Sequence, residues 1–142
     1  INRAVRAIEP RMQARGVSIN VNAIDLQIEG DPERLLQALL NILDNAIKHS
    51  LPNSVVFISS RKQGKQAIAE ITDQGEGISS RDLPHIFEQF YTTDPSRQGS
   101  GSGLGLAIAK RIIEAHHGSI TASSAAGTGA TFTICLPLKP KS

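Results

Sequence analysis

Residues 31–49 read DPERLLQALLNILDNAIKH, a stretch that predicts one long helix. Asp31 is a favourable N-cap, Pro32 suits the first helical position, and Glu33 complements the helix dipole in the first turn. Apolar residues then recur at helical spacing and end near His49, so one broad stripe should face a core. The stripe comprises Leu35, Leu36, Leu39, Leu40, Ile42, Leu43, Ala46 and Ile47.

The rest of the chain predicts short strands and two further helices. We expect helices over residues 1–15 and from about 103 to 118, and strands over 17–21, 55–59, 67–71, 119–123 and 130–138. Because consecutive strands are joined by short turns, a doubly wound fold is disfavoured. The order predicts an α/β two-layer sandwich, with a mixed, mostly antiparallel sheet of about five strands covered on one face by three helices.

Composition limits the class of protein. The 142 residues suit a single domain, over residues 1–142, and 39% apolar with 20% charged residues is a globular balance. The net charge is +2 without a charged block, so composition gives no support for a nucleic-acid partner. The apolar runs are too short for a membrane span, so we expect no membrane contact. The lone Cys135 is interpreted as a small buried hydrophobe in a reducing, cytoplasmic compartment.

Three polar residues share one face of the residue 31–49 helix. Asn41, Asn45 and Lys48 are four and three positions apart. A solvated outer face is the simplest interpretation. Asparagine is, however, a poor helix former, and its amide oxygen is a hard ligand that suits Mg²⁺, while lysine can neutralise a phosphate. The pattern therefore makes these three residues candidates for metal and phosphate binding.

A second candidate cluster follows an apolar strand. Residues 73–77 read DQGEG, which an ordinary turn would also explain. A fixed carboxylate at Asp73 would accept a hydrogen bond from an exocyclic amine and repel a carbonyl, so it would prefer adenine to guanine. Gly75 and Gly77 would let backbone approach a ring closely.

A third candidate cluster is rich in glycine. Residues 99–106 read GSGSGLGL and precede a predicted helix, whose N-terminal N–H groups and dipole favour phosphate. A flexible linker is the alternative interpretation. Because the run passes directly into an amphipathic helix with leucines interleaved, we interpret it as a phosphate-binding turn.

Taken together, five stretches resemble the N, G1, F, G2 and G3 boxes of sensor histidine kinases. They are NILDNAIKH at 41–49, DQGEG at 73–77, FEQFY at 87–91, GSGLGL at 101–106 and GTGATF at 127–132. The resemblance spans nearly the whole chain and implies the Bergerat-type ATP-binding fold of the gyrase, heat-shock chaperone, histidine kinase and mismatch-repair superfamily. The ATPase members carry a Glu where this chain has Asn41, so the resemblance favours a histidine kinase over an ATPase.

The resemblance also implies roles for residues of the first box. It implies that Asn45 is the Mg²⁺ ligand and a catalytic residue. Asn41 would assist the metal or the phosphates, Lys48 would be a catalytic residue near the phosphates, and His49 would lie against the nucleotide.

The remaining boxes complete the implied ATP site. Asp73 would accept from the adenine amine, with Gly75 and Gly77 shaping the pocket, Ile78 covering the ring and Thr131 near the base. Residues 91–102 would form a mobile lid anchored by Phe87 and Phe90. The lid and the turn after it would contribute Arg97, Gly101, Ser102, Gly103, Leu104 and Gly105 to the nucleotide site. Arg97 would contact the γ-phosphate, and a solvated loop arginine is the alternative.

The residue that would be phosphorylated is not among the motifs. In the family it is a His followed by an acidic residue on a helical dimerisation hairpin, and none of His49, His85, His116 and His117 matches that pattern. Since the chain opens on Ile1, we expect a piece of a longer protein, with residues 1–15 adjoining an N-terminal hairpin. The implied partners are that phosphoacceptor domain and a response regulator receiver domain.

This interpretation carries further expectations and two alternatives. We expect the isolated chain to be monomeric and unable to label itself, within a homodimeric parent that absent segments would anchor in the inner membrane. The first alternative is a non-catalytic nucleotide-sensing or partner-binding module that retains the ATP pocket. The second is a structural domain that binds no nucleotide.

Overall fold

The structure is a computed structural model that describes residues 2–89, 105–124 and 129–139. The helices are α1 (Asn2–Arg15), α2 (Pro32–His49) and α3 (Gly105–Ala115), with a short 3-10 turn at Leu83–His85. The strands are β1 (Ser18–Asn22), β2 (Val55–Gln63), β3 (Gln66–Thr72), β4 (Ser119–Ser124) and β5 (Ala130–Pro137). None of the helices in these ranges combines the length and the apolar character that a bilayer span requires.

One five-stranded sheet runs in the order β1-β2-β3-β5-β4. β1 is parallel to β2, and the other three pairings are antiparallel. β2 and β3 extend beyond their predicted limits because Gly64, at φ +61°, closes a tight turn between Gln63 and Gln66. The predicted two-layer sandwich with a mixed sheet and three helices is confirmed.

Alternation along the strands divides the sheet into two unlike faces. One face is mainly apolar and packs against the helices; its most buried residues include Val56, Ile58, Ile71, Phe132 and Ile134. The other face carries mainly Thr, Ser and charged residues, with Phe57 42% exposed. Cys135 corrects the sequence interpretation: it alternates with the buried Ile134 and Leu136, so it is half-buried on the opposite face.

The start of α2 follows the sequence prediction closely. The Asp31 carboxylate accepts hydrogen bonds from the backbone N–H groups of Glu33 and Arg34, which satisfies two donors that the helix itself leaves free. On the core side Ile42 and Ala46 are fully buried. Replacing Ile42 with alanine would cost about 2–5 kcal/mol of unfolding free energy.

His116, just past the end of α3, ties that helix to the start of α2. Its Nε2 accepts the backbone N–H of Asp31 at 3.0 Å, so the ring proton lies on Nδ1, which donates to the Ile112 carbonyl at 2.7 Å. The end of α3 therefore meets the beginning of α2. The N-terminus of α3 lies further along α2, beside Asn41.

α1 packs along the other side of α2. Ala4, Ile8 and Met12 bury one face of α1 in the common core. Its exposed side contributes arginines that reach α2: Arg3 pairs with Glu33 near the start of α2, and Arg11 pairs with Asp44 one turn before its end. The three helices thus form one layer with α2 in the middle.

Candidate functional site

The polar face of α2 is defined by Asn41, Asn45 and Lys48, called here the α2 amide face. All three side chains are half-buried, whereas the neighbouring Ile42 and Ala46 are in the core. They lie along one line of the helix because their spacing is four and three residues. The structure therefore brings together the three residues that the sequence proposed for metal and phosphate binding.

The N-terminus of α3 lies against this face. A Cβ at Gly105 would be 3.8 Å from Asn41 Cβ and 3.9 Å from Asn41 Cγ, an ordinary van der Waals contact. Backbone N–H groups at the start of a helix lack intrahelical partners and carry a partial positive charge. An anion bound here would meet both the amide side chains and the helix start.

Asp73 is the buried carboxylate of the site. Its side chain is 3% exposed, and its Oδ1 accepts the backbone N–H groups of Gly75 at 3.0 Å and Ala130 at 3.2 Å. Burial raises the pKa of the Asp73 carboxyl above its ordinary value of 3.8, while those two hydrogen bonds and the nearby charge of His49 oppose the rise. The carboxylate is held in one orientation by backbone alone.

Two glycines make that close backbone packing possible. A Cβ at Gly75 would overlap the His49 carbonyl oxygen, and a Cβ at Gly129, at φ +86°, would overlap the Asp73 carbonyl oxygen. Gly75 also bridges to Ser50, directly after α2. We call Asp73, Gly75, Gly129 and Ala130 the Asp73 cluster, and it lies against the C-terminal end of the helix that carries the α2 amide face.

The residues after the Asp73 cluster continue along its edge. Gly77 has φ +75°, and the backbone N–H of Ile78 donates to Ser124 Oγ at 2.7 Å. Ser124 Oγ in turn donates to the Gly129 carbonyl at 2.7 Å. The half-buried Ile78 side chain packs against the hydrophobic core.

Thr131 lies outside the Asp73 cluster, and its expected place near the adenine stays a prediction. Its hydroxyl lies 3.0 Å from Thr72 Oγ1, and its strand neighbours Ala130 and Phe132 point to the helix-covered face. Because side chains alternate along a strand, Thr131 faces away from Asp73. Ala130 is the residue that contacts the carboxylate, and the alternating apolar pattern of β5 was the sequence signal for this.

Sequence reasoning also missed the charged neighbours of the α2 amide face. Asp44 Oδ2 lies 3.6 Å from Lys48 Nζ, and Asp44 Oδ1 lies 2.5 Å from Arg11 Nη1. Arg15 donates to the carbonyl oxygen of Lys48 at 2.8 Å. Within α2 alone, Asp44 resembles any solvated helical residue, so only the packing of α1 reveals these contacts.

Phe87 supports the region near the start of α3. Its ring meets Phe132 edge to face at a centroid distance of 6.1 Å, and Lys110 Nζ lies 5.6 Å from its centroid. Several other predicted positions lie outside the described residues. These are Phe90, residues 91–102 with Arg97, and Gly101, Ser102, Gly103 and Leu104.

The polar groups that the structure brings together fit an adenine nucleotide with Mg²⁺. Asp73 offers an acceptor fixed by two backbone N–H groups, and Asn41 and Asn45 offer neutral amide oxygens beside a helix N-terminus. Within the described ranges no group of three or more His, Cys, Asp or Glu side chains could hold a metal ion. A Mg²⁺ ion here would depend on amide, water and phosphate oxygens, which is how Mg²⁺ usually binds with nucleotides.

Known sensor kinases resemble this chain in sequence and in fold. The chain is 41% identical over 122 residues, 80% of its length, to the sensor protein SphS of Synechococcus elongatus. The mycobacterial sensor histidine kinase MprB superposes with a TM-score of 0.83 at 33% identity, covering 97% of this chain and 93% of that one. Full-length ShkA, solved in complex with AMPPNP, superposes with a TM-score of 0.86 at 28% identity over 99% of this chain and 30% of ShkA.

The relatives are longer proteins. The chain spans 30% of SphS and 16% of the circadian input-output histidine kinase CikA of the same organism. The family model described as "Histidine kinase-, DNA gyrase B-, and HSP90-like ATPase" matches residues 30–140, which include α2, the sheet strands β2 to β5 and α3. The chain therefore belongs to the histidine kinase-, DNA gyrase B- and HSP90-like ATPase family, and its resemblance to sensor histidine kinases is confirmed.

Proposed function

We propose that the chain binds Mg²⁺-ATP and donates the γ-phosphoryl group to a histidine on a separate dimerisation domain of a longer two-component sensor kinase. The observation that carries this proposal is the convergence of the Asp73 cluster on the end of α2. Gly75 bridges to Ser50, and it packs so closely on the end of α2 that an added Cβ would overlap the His49 carbonyl oxygen. A fixed acceptor and the α2 amide face thus adjoin one another.

We assign the Asp73 carboxylate to the adenine amine. Since Oδ1 accepts the N–H groups of Gly75 and Ala130, the second oxygen, Oδ2, is the atom that we assign to the exocyclic N–H. An ionised carboxylate only accepts hydrogen bonds, so the carbonyl of a guanine would meet repulsion there. The buried position strengthens this discrimination, because an unsatisfied polar group is costly away from water.

We assign the phosphates to the α2 amide face. When bound, ATP supplies the phosphoryl group and Mg²⁺ offsets its charge. Asn45, with Asn41, would hold the metal through amide oxygens, Lys48 would place an ammonium near the phosphates, and the start of α3 at Gly105 would add backbone N–H groups. These groups orient the γ-phosphate, and orientation with charge stabilisation is most of what phosphoryl transfer requires.

Histidine is the acceptor that this site suits. Residue 41 is an amide, which cannot act as a base toward water or a serine hydroxyl, whereas a neutral imidazole attacks without one. His116 of this chain has both ring nitrogens engaged with backbone. We therefore place the acceptor on an N-terminal helical hairpin of a homodimeric parent, with a response regulator as the next partner and the isolated chain as a single monomeric domain.

The names of the proteins that resemble this chain support the proposal. SphS is named a sensor protein, MprB a sensor histidine kinase, and the ShkA structure is described as a complex with the ATP analogue AMPPNP. The short share of each curated relative that the chain covers is consistent with a catalytic part of a multidomain kinase.

The test separates nucleotide binding from transfer. Calorimetric titration of the chain with ADP and Mg²⁺ should give measurable heat and raise the melting temperature, without any self-labelling by radioactive ATP. Joining the chain to its native hairpin should produce histidine labelling. Asn45→Ala should then lower the labelling rate at least about 100-fold, because metal positioning contributes several kcal/mol to such transition states.

The matched control is Asn20→Ala, which removes an exposed asparagine from β1 far from α2. It should label at the wild-type rate. Binding of nucleotide without labelling in the presence of the hairpin would favour the non-catalytic module, and absence of any heat with ADP would favour the structural domain.

A further inference from the structure

Asp44 contacts cations from two different helices. Its Oδ1 lies 2.5 Å from Nη1 of Arg11 on α1, and its Oδ2 lies 3.6 Å from Nζ of Lys48 on its own helix. The Asp44 side chain is 27% exposed, whereas those of Lys48 and Arg11 are 40% and 64% exposed, so only the shared carboxylate is largely shielded from water. One carboxylate is therefore shared between a cation of the candidate site and a cation of the neighbouring helix.

α1 also contacts the backbone of the same turn. Nη2 of Arg15 donates to the Lys48 carbonyl at 2.8 Å and lies 3.4 Å from the Ser50 carbonyl. The last carbonyls of a helix have no intrahelical partner and carry a partial negative charge, so an arginine is favourable there. Arg11 and Arg15 thus both act on the turn of α2 that carries Lys48.

The ammonium of Lys48 has two competing partners. It can pair with Asp44, as it does in this structure, or with the phosphates of a bound nucleotide. A second cation on Asp44 weakens the hold of that carboxylate on Lys48, because part of its charge is already compensated. Removing Arg11 would leave Asp44 with Lys48 as its remaining cation among these contacts.

We propose that Arg11 is a positioning residue for the phosphate contact: by pairing with Asp44 it releases Lys48 toward the nucleotide. This inference rests on the proposed function, in which Lys48 contacts the phosphates. It makes α1 part of the site through Asp44, although none of the residues that we assign to the nucleotide lies on α1. A displacement of α1 along α2 then changes the affinity for the phosphates and leaves the affinity for the base unchanged.

The chain offers a matched control on the same two helices. Arg3 pairs with Glu33 at 2.9 Å, also between α1 and α2, but near the start of α2 and two turns before Asn41. Arg11→Gln and Arg3→Gln each remove one exposed arginine and one ion pair. If the arginines only hold α1 against α2, both substitutions should change the AMPPNP affinity equally. If Arg11 positions Lys48, only Arg11→Gln should change that affinity.

Affinity for AMPPNP with Mg²⁺ and for adenosine, each measured by titration of the chain, distinguishes the two ends of the nucleotide. Arg11→Gln should weaken AMPPNP binding by about twofold, within the range for an exposed ion pair and below the loss expected when the Lys48 charge itself is removed. Adenosine affinity should be unchanged, Arg3→Gln should match the wild type with both ligands, and Arg11→Lys should restore most of the loss.

The pathway through Asp44 is tested by repeating Arg11→Gln in an Asp44→Asn background, where its effect should vanish. A loss that persists there would show direct attraction between Arg11 and the phosphates and would overturn the inference. Equal affinities for Arg11→Gln and Arg3→Gln would overturn it as well. If the wild-type chain binds neither ligand, the proposed function itself fails, which is distinguishable from both outcomes.

Discussion

The Asp73 cluster and the α2 amide face are built in opposite ways. Asp73 is fixed by two backbone N–H groups in a pocket that two glycines allow to close, and its side chain is nearly inaccessible. Asn41, Asn45 and Lys48 are half-exposed side chains of one helix, and within the described ranges the Lys48 ammonium forms an ion pair with Asp44. The first region is preorganised, and the second can adjust to its ligand.

This difference predicts that one added methyl group is tolerated at one region and not at the other. Gly75→Ala should lower the free energy of unfolding by about 3 kcal/mol, because its Cβ would overlap the His49 carbonyl oxygen and backbone must shift. Gly105→Ala should change it by less than about 1 kcal/mol, since its Cβ meets Asn41 at van der Waals distance and alanine favours a helix. Chemical denaturation of both variants checks this, and equal losses would contradict the comparison.

The charge of Asp73 should appear in the pH dependence of binding. Because burial raises its pKa, the carboxyl is protonated at a higher pH than an ordinary aspartate, and ATP affinity should fall as the pH drops through that raised pKa. Asp73→Asn should lose at least about tenfold in ATP affinity at pH 7 and should lack this pH dependence. Calorimetric titrations at several pH values measure both.

The free energy of unfolding should depend on pH in the opposite direction to the ATP affinity. The folded chain binds this proton more tightly than the unfolded chain, so Asp73 lowers stability as the pH rises from about the ordinary value of 3.8 through the raised pKa. Above that window the cost is constant. Identical pH profiles of melting temperature for wild type and Asp73→Asn would show that the carboxyl is not perturbed.

The smallest effect concerns the α2 amide face. Lys48→Gln should weaken ATP binding by about threefold to fivefold at low salt and by less at high salt, because half-exposed charges are screened. The loss in Asp73→Asn should be far less sensitive to salt, since that group is buried. A salt-independent loss in Lys48→Gln would show that this region is as preorganised as the Asp73 cluster.

The sequence predicted α2 well because local signals agree there. The Asp31 cap, Pro32 and the leucine stripe all depend on neighbours within one or two turns, and the structure reproduces each of them. The alignment of the α2 amide face follows from helical spacing alone. Asp73 could be proposed because a carboxylate and two glycines after an apolar strand form a recognisable pattern.

The missed features depend on pairings between distant segments. Thr131 was chosen by its motif, whereas its orientation depends on which face of β5 the helices cover. The pairing of Arg11 with Asp44 joins positions 33 residues apart and needs the packing of α1 against α2. Cys135 was predicted to be buried but is half-buried on the opposite face of the sheet. Alternation along a strand does not show which of its two faces the helices will cover.

The contact between His116 and Asp31 has a mechanical consequence. It joins the end of α3 to the start of α2, while Gly105, at the other end of α3, lies where an added Cβ would be 3.8 Å from Asn41. The 11 residues of α3 form a lever about 16 Å long, so a tilt of about 5° around His116 would move Gly105 by about 1.4 Å. A small rotation of α3 about His116 would therefore change the distance between Gly105 and Asn41. The change is large enough to make or break a hydrogen bond at that end of α3.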